Sequence, residues 1–183
     1  MKHAYLFVLA LIISASFNCY AQTLPTLPVN LQSTYTKGTR TSNGAPGKNY
    51  WQNSADYTIK ISFDPKSRIL SGTVGINYIN SSPDTLNQIE FKLYPNLFKK
   101  GSMRNMPVLP EDESDGVEIQ QLSFNGKEQD IKQLKFDGTN MSVNIPTLHS
   151  KQKIHFDITY AYTLNKTSHI RTGQVDTGAF FIA

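Results

Sequence analysis

The stretch Asp56–Asn80 limits what this chain can fold into more than any other. Tyr57, Ile59, Ile61 and Phe63 fall on alternate positions, separated by Thr58, Lys60 and Ser62. Leu70, Val74, Ile76 and Tyr78 repeat the alternation, with Gly72 in phase. A period of two sends successive side chains to opposite faces of a strand. Between the two runs stands Asp64-Pro65-Lys66-Ser67. This is turn chemistry: proline presets φ, while Asp and Ser bond back to nearby backbone. The reading is an antiparallel hairpin with one apolar face. Full burial of a large apolar side chain contributes roughly 1.5–3 kcal/mol, and a lone hairpin cannot bury its own face. The pattern therefore predicts other strands laid over it.

Those strands are visible downstream. Ile89, Phe91 and Leu93 alternate with polar residues after the turn Ser81-Ser82-Pro83-Asp84. Val117 and Ile119 open a fourth strand, with Leu122 and Phe124 out of phase. A bulge near Gln120-Gln121 restores both pairs to one face. Asn125-Gly126 and Asp137-Gly138 are hairpin turn signals. Leu134/Phe136 and Met141/Val143/Ile145 give two short strands. The longest alternation is Ile154, Phe156, Ile158, Tyr160 and Tyr162, with His155, Asp157, Thr159 and Ala161 on its other face. About seven short strands with regular turn punctuation, and no helical period outside the leader, predict an all-β antiparallel sandwich.

The ends frame this domain. Lys2 and His3 precede the apolar run Ala4 to Ala15, and Cys19-Tyr20-Ala21 closes it with small residues. This is the pattern of a secretory signal peptide over residues 1–21, too short for a comfortable membrane span. It predicts export to the periplasm or the extracellular space. Cys19, the one cysteine, leaves with the leader, so the mature domain has no disulfide and rests on its core. Residues 22–55 read as an irregular lead-in broken by Pro25, Pro28, Gly38, Gly44, Pro46 and Gly47. Within it, Tyr50 and Trp51 are expected to pack on the first strand. The domain spans 56–183. It stops on the apolar run Gly178-Ala179-Phe180-Phe181-Ile182-Ala183, which reads as a strand whose sheet continues in a longer protein.

Little in the chain carries chemistry. The formal net charge is +4 and the basic residues are scattered, which argues against a nucleic-acid surface. The long excursion Asn96–Gly116 holds an acidic run, Glu111, Asp112, Glu113 and Asp115. It lacks the spacing of a calcium loop and reads as a solvated charge run. His155 and Asp157 share a strand face, but alternation puts them on the solvent side with no evident nucleophile. The chain has no His-Glu-x-x-His, no Gly-x-Ser-x-Gly, no phosphate loop and no dinucleotide fingerprint. Asn80-Ser81-Ser82, Asn140-Met141-Ser142 and Asn165-Lys166-Thr167 match the glycan acceptor pattern.

Taken in order, Asp56–Pro65, Leu70–Leu86 and Ile89–Tyr94 resemble the opening of gluzincin aminopeptidases of the aminopeptidase N type. That opening runs Tyr-x-Ile-x-(Ile/Leu)-x-(Phe/Leu)-Asp, then Gly-x-(Val/Ala)-x-Ile-x-(Tyr/Phe)-x-Asn, then an aliphatic and aromatic strand. Tyr94-Pro95-Asn96-Leu97-Phe98 is similar to a segment of secreted bacterial forms. His169–Gly173 and Gly178–Ala183 resemble the approach to the family's substrate-binding strand. The resemblance covers about Tyr50 to Ala183. It implies a saddle-shaped, non-catalytic N-terminal β-sandwich that packs on a thermolysin-like catalytic domain and walls a cleft for peptide substrates. The zinc, its two His and Glu ligands and the Glu general base belong to that catalytic domain. No catalytic, metal or cofactor-binding residue is therefore assigned to this chain, which is expected to be inactive alone. The alternative reading is a free-standing module that binds glycans or proteins through Tyr50, Trp51 and the Asn96–Gly116 loop.

Overall fold

The computed structural model describes residues 28–167 and 172–182. The predicted leader over residues 1–21, His169–Arg171 of the resemblance and Ala183 lie outside the described residues. The chain divides into two compact units that meet between Tyr50 and Trp51.

The described part of the first unit is not wholly irregular. It holds one helix, α1 (Val29–Thr36), with no buried residue. Apolar periodicity could not announce a helix that buries nothing. Its stop signal is local instead. Gly38 sits at φ +68°, with Gly38 N–H donating to Tyr35 O (3.0 Å) and Thr39 N–H to Thr34 O (2.9 Å). That is a Schellman ending, which favours glycine because its φ is positive.

The second unit is an antiparallel β-sandwich. Its larger sheet contains β1 (Ser54–Asp64), β2 (Ile69–Ile79), β4 (Glu118–Phe124), β5 (Lys127–Glu128) and β8 (Lys153–Thr163), in the order β1-β2-β8-β4-β5. The smaller sheet contains β3 (Leu86–Lys92), β6 (Lys135–Asp137) and β7 (Asn140–Leu148), in the order β3-β7-β6. The last two strands, β9 (Gly173–Asp176) and β10 (Ala179–Phe181), pair only with each other among the described residues. The apolar tail is thus one arm of a hairpin, and Phe180 sits edge-on to Phe63 at 4.9 Å.

Strand register turns the alternation into rows. Tyr57, Ile76, Phe156 and Phe124 lie side by side across the larger sheet, as do Ile59, Val74, Ile158 and Leu122. A third row joins Ile61, Gly72, Tyr160 and Ile119. The predicted bulge is present: pairing slips between Ile119 and Gln121, leaving Gln120 extra. Phe156 is the centre of the core, with Phe91 and Phe124 edge-on at 5.3 and 5.4 Å. Met141, Val143, Ile145 and Leu148 of β7 close over it and are all buried.

One polar group joins the two sheets. Asn80, fully buried at the end of β2, donates through Nδ2 to Asp84 O (2.8 Å) and Leu148 O (3.1 Å), and accepts from Ser82. A buried amide left unpaired here would forfeit about 1–3 kcal/mol, so the side chain is tied to this corner.

Two expectations fail. The first is cover for the β1 half of the opening hairpin: Leu70 and Ile76 of β2 are buried, but Tyr57, Ile59 and Ile61 are 61, 59 and 58% exposed. The three-stranded sheet is too narrow to reach β1, and the core gathers on β8, β4, β7 and Ile76 of β2. The second concerns the acidic run, which is not simply solvated. Asp112 is 4% exposed; its Oδ1 accepts from Thr167 N–H at 2.9 Å and its Oδ2 from the Thr167 hydroxyl. Arg104 is paired with Glu113 and also donates to Leu97 O and Lys99 O.

Three outcomes follow from this packing. Phe156→Ala should lower unfolding stability by about 3–5 kcal/mol in urea titration. Asp112→Ala should cost about 1–3 kcal/mol by the same measurement, because it strips Thr167 of its acceptor. The third is a pH effect at the first turn, where the Ser67 hydroxyl and then Lys66 N–H hold the Asp64 carboxyl below its ordinary value. The unfolded chain therefore takes the proton first. The turn's contribution is whole above the ordinary carboxylate range, near pH 4, and fades as pH falls through the lowered value. Asp64→Asn should flatten the acid limb of the stability curve.

Candidate functional site

The bare face of β1 opens onto a trough of about 550 Å³, within the range of roughly 300–1,000 Å³ that ligand pockets occupy. Tyr57 and Ile59 line it from β1, Val74 and Ile76 from β2, and Ile158, Tyr160 and Tyr162 from β8. Phe91, Leu93 and Tyr94 close it at the end of β3. Gly72, in register with Ile61 and Tyr160, has no room for a side chain. A Cβ there would stand 2.8 Å from Lys60 O, 3.1 Å from Ile61 Cγ2 and 3.2 Å from Tyr160 Oη. Burial first, and Tyr160 second, push the Tyr162 phenol above its ordinary value, so it is a neutral donor at physiological pH. Glu90 and Lys92 are the charged groups at the rim. The trough offers apolar contact and phenol hydroxyls. It holds no acid–base pair and no nucleophile next to a base.

The opposite face of the sheet carries the polar array. His155 lies over Gly75, which supplies no side chain. Its Nδ1 is 2.7 Å from Asn77 Oδ1 and its Nε2 is 3.0 Å from Asp157 Oδ1. The Ser123 hydroxyl donates to Asp157 Oδ2 at 3.3 Å. Sequence spacing paired His155 with Asp157 and missed Ser123, which strand pairing brings in from β4. The order of the chain decides its chemistry. A hydrolytic serine must donate to the imidazole, with the carboxylate behind it. Here the carboxylate stands between serine and imidazole, so the serine has no base. The array ties three strands together on the solvent side, as alternation predicted. Among the described residues no three His, Cys, Asp or Glu side chains gather as a metal site.

The other candidates distribute as follows. Tyr50 is 53% and Trp51 39% exposed, so neither is sunk into a core. Asn53, just ahead of β1, is tied to the sandwich: its Nδ2 donates to Tyr78 Oη (2.6 Å) and its Oδ1 accepts from Ser81 N–H (2.8 Å). An isolated asparagine carries no periodic signal. The neck of the Asn96–Gly116 excursion is drawn closed by buried Asn96, whose Oδ1 accepts from Val117 N–H at 2.7 Å. Gly116 at φ +82° lets the chain pass, since a Cβ there would lie 2.6 Å from that oxygen. The acceptor asparagines of two glycan motifs, Asn80 and Asn165, are buried at 0 and 6% exposure. In the folded chain their amides are closed to modification. Asn140 is partly exposed and accepts from Lys92 Nζ.

No family model matches the chain, and no curated protein does. Among solved structures it is similar to an M1 zinc metallopeptidase from Deinococcus radiodurans bound to a Tyr-Ser-Ala substrate. That match has 15% identity and a TM-score of 0.43, and covers 68% of this chain and 23% of that one. It is also similar to a two-domain M1 zinc metallopeptidase bound to L-tryptophan, with 14% identity and a TM-score of 0.42, over 66% of this chain and 23% of that one. The chain spans about a quarter of the length of these structures (23%).

Proposed function

We propose that this chain is the non-catalytic N-terminal β-sandwich of an exported zinc aminopeptidase-like metallopeptidase, and that it helps to wall the cleft that receives peptide substrate. One observation carries the reading: a well-packed sandwich leaves three in-phase apolar side chains, Tyr57, Ile59 and Ile61, about 60% exposed each beside an apolar trough. Exposed faces of that kind mark surfaces built to be covered. The stretches that resemble the aminopeptidase N type fall on β1, β2 and β3, the elements that frame this face, and that resemblance supports this enzyme class as the source of the cover. Zinc, held by another part of the enzyme, would supply the activated water. This chain's own residues would shape and dry one side of the cleft. The leader over residues 1–21 would direct the protein to the periplasm or beyond.

Two experiments test this reading. The coding sequence beyond Ala183 is expected to contain a His-Glu-x-x-His segment; a stop codon directly after Ala183 would overturn the proposal. The purified chain alone is expected to retain no zinc through gel filtration and to release no dye from aminoacyl substrates, with or without added zinc. Metal-dependent turnover by the isolated chain would contradict its non-catalytic role.

A further inference from the structure

The larger sheet ends at β1, and that edge is unlike the others in the sandwich. Natural sheets blunt their free edges with short strands, proline, bulges or charge. β5, at the far side of the same sheet, is 2 residues long, and β6 is 3. β3, the other edge of the smaller sheet, has 7 residues and a register slip between Leu86 and Gln88. β1 has 11 residues, contains no proline, and pairs with β2 without a slip from Ser54 to Asp64. Its deterrents are three charges on one face, Asp56, Lys60 and Asp64.

The two faces of β1 also carry a pattern. Tyr57, Ile59 and Ile61 stand bare on the trough side. On the other side Asp56, Lys60 and Asp64 follow at four-residue intervals, all exposed. Charges directly opposite one another on paired strands attract or repel according to sign. An incoming strand that satisfies all three would carry base, acid and base at matching positions, with apolar residues between them on the trough face. A second copy of this chain does not meet that requirement. Antiparallel self-pairing over the full length of β1 sets Asp56 against Ser62, Lys60 against Thr58 and Asp64 against Ser54, and neutralises no charge.

We propose that β1 accepts a further strand along its free edge. The incoming segment is extended, belongs to the remainder of the enzyme, carries base, acid and base on its solvent face, and continues the Tyr57/Ile59/Ile61 row across the trough with its apolar side chains. This rests on the reading of the chain as one domain of a larger peptidase. It adds which edge is used and what the partner segment looks like. Main-chain hydrogen bonds would give affinity, and alternate side chains would give selectivity, as in other strand additions.

The test uses the folded chain and two short synthetic peptides. Both alternate valine and isoleucine with polar residues. One carries Lys, Glu, Lys at four-residue spacing, and the other carries Glu, Lys, Glu. Amide hydrogen exchange is read residue by residue. The first peptide is expected to slow exchange in β1 and to bind about tenfold more tightly than the second. In the variant Asp56→Lys with Lys60→Glu the order should reverse, while exchange in β7 stays unchanged as a check on folding. Asp64 is left intact because it holds the turn. Absence of β1 protection with either peptide would overturn the proposal. So would equal binding of both, or β1 amides protected without peptide in a concentration-dependent dimer. None of these outcomes bears on a zinc motif downstream, so the domain reading stands or falls separately.

Discussion

Two sheets of unequal width, packed face to face, set the terms for this domain. Three strands of 11 residues, β1, β2 and β8, build most of the broad sheet, and the sheet above it has three shorter strands. Where they overlap, Phe156 sits between Phe91 and Phe124, and the interior is closed. Beyond the overlap the same rows of apolar side chains continue onto β1 with nothing above them among the described residues. Burial near the centre stabilises the fold. The surplus at the margin gives the fold a surface.

Polar groups follow the same division. Inside and at the corners three are matched: Asn80 bridges the sheets, Asn96 holds the loop neck, and Asp112 binds Thr167, while the Asn165 Nδ2 amide is buried without a partner among the described residues. On the outer face His155, Asp157, Asn77 and Ser123 hold one another across three strands. No group is left poised between a base and a substrate position.

Much of the sandwich was legible because period-two alternation reports which residues share a face. It located β1, β2, β4 and β8, and the phase change between Ile119 and Leu122 located the bulge. Asn125-Gly126 gave its turn directly, with both residues at positive φ (48° and 78°). Alternation is silent on what lies opposite a face, so it could not show that β1 would stay bare. Helix α1 escaped because it has no apolar stripe to detect. Asp112 escaped because a run of acids reads as solvated unless its long-range acceptor role is known, and Thr167 lies 55 residues away. Ser123 reached the histidine array only through the pairing of β4 with β8. These gaps share a cause: contacts between residues far apart in sequence leave no periodic trace.

The central claim is that the Tyr57/Ile59/Ile61 row is open to solvent in this chain and available for docking. The most direct measurement is urea unfolding of the chain with Tyr57, Ile59 and Ile61 each replaced by lysine, singly and together. For an open row, each single change should stay within about 0.5 kcal/mol of the parent, and the triple variant should fold and lose its binding of a hydrophobic dye. If any single change removes about 3 kcal/mol or more, as loss of a buried side chain does, the row is already covered within this chain and the account is wrong.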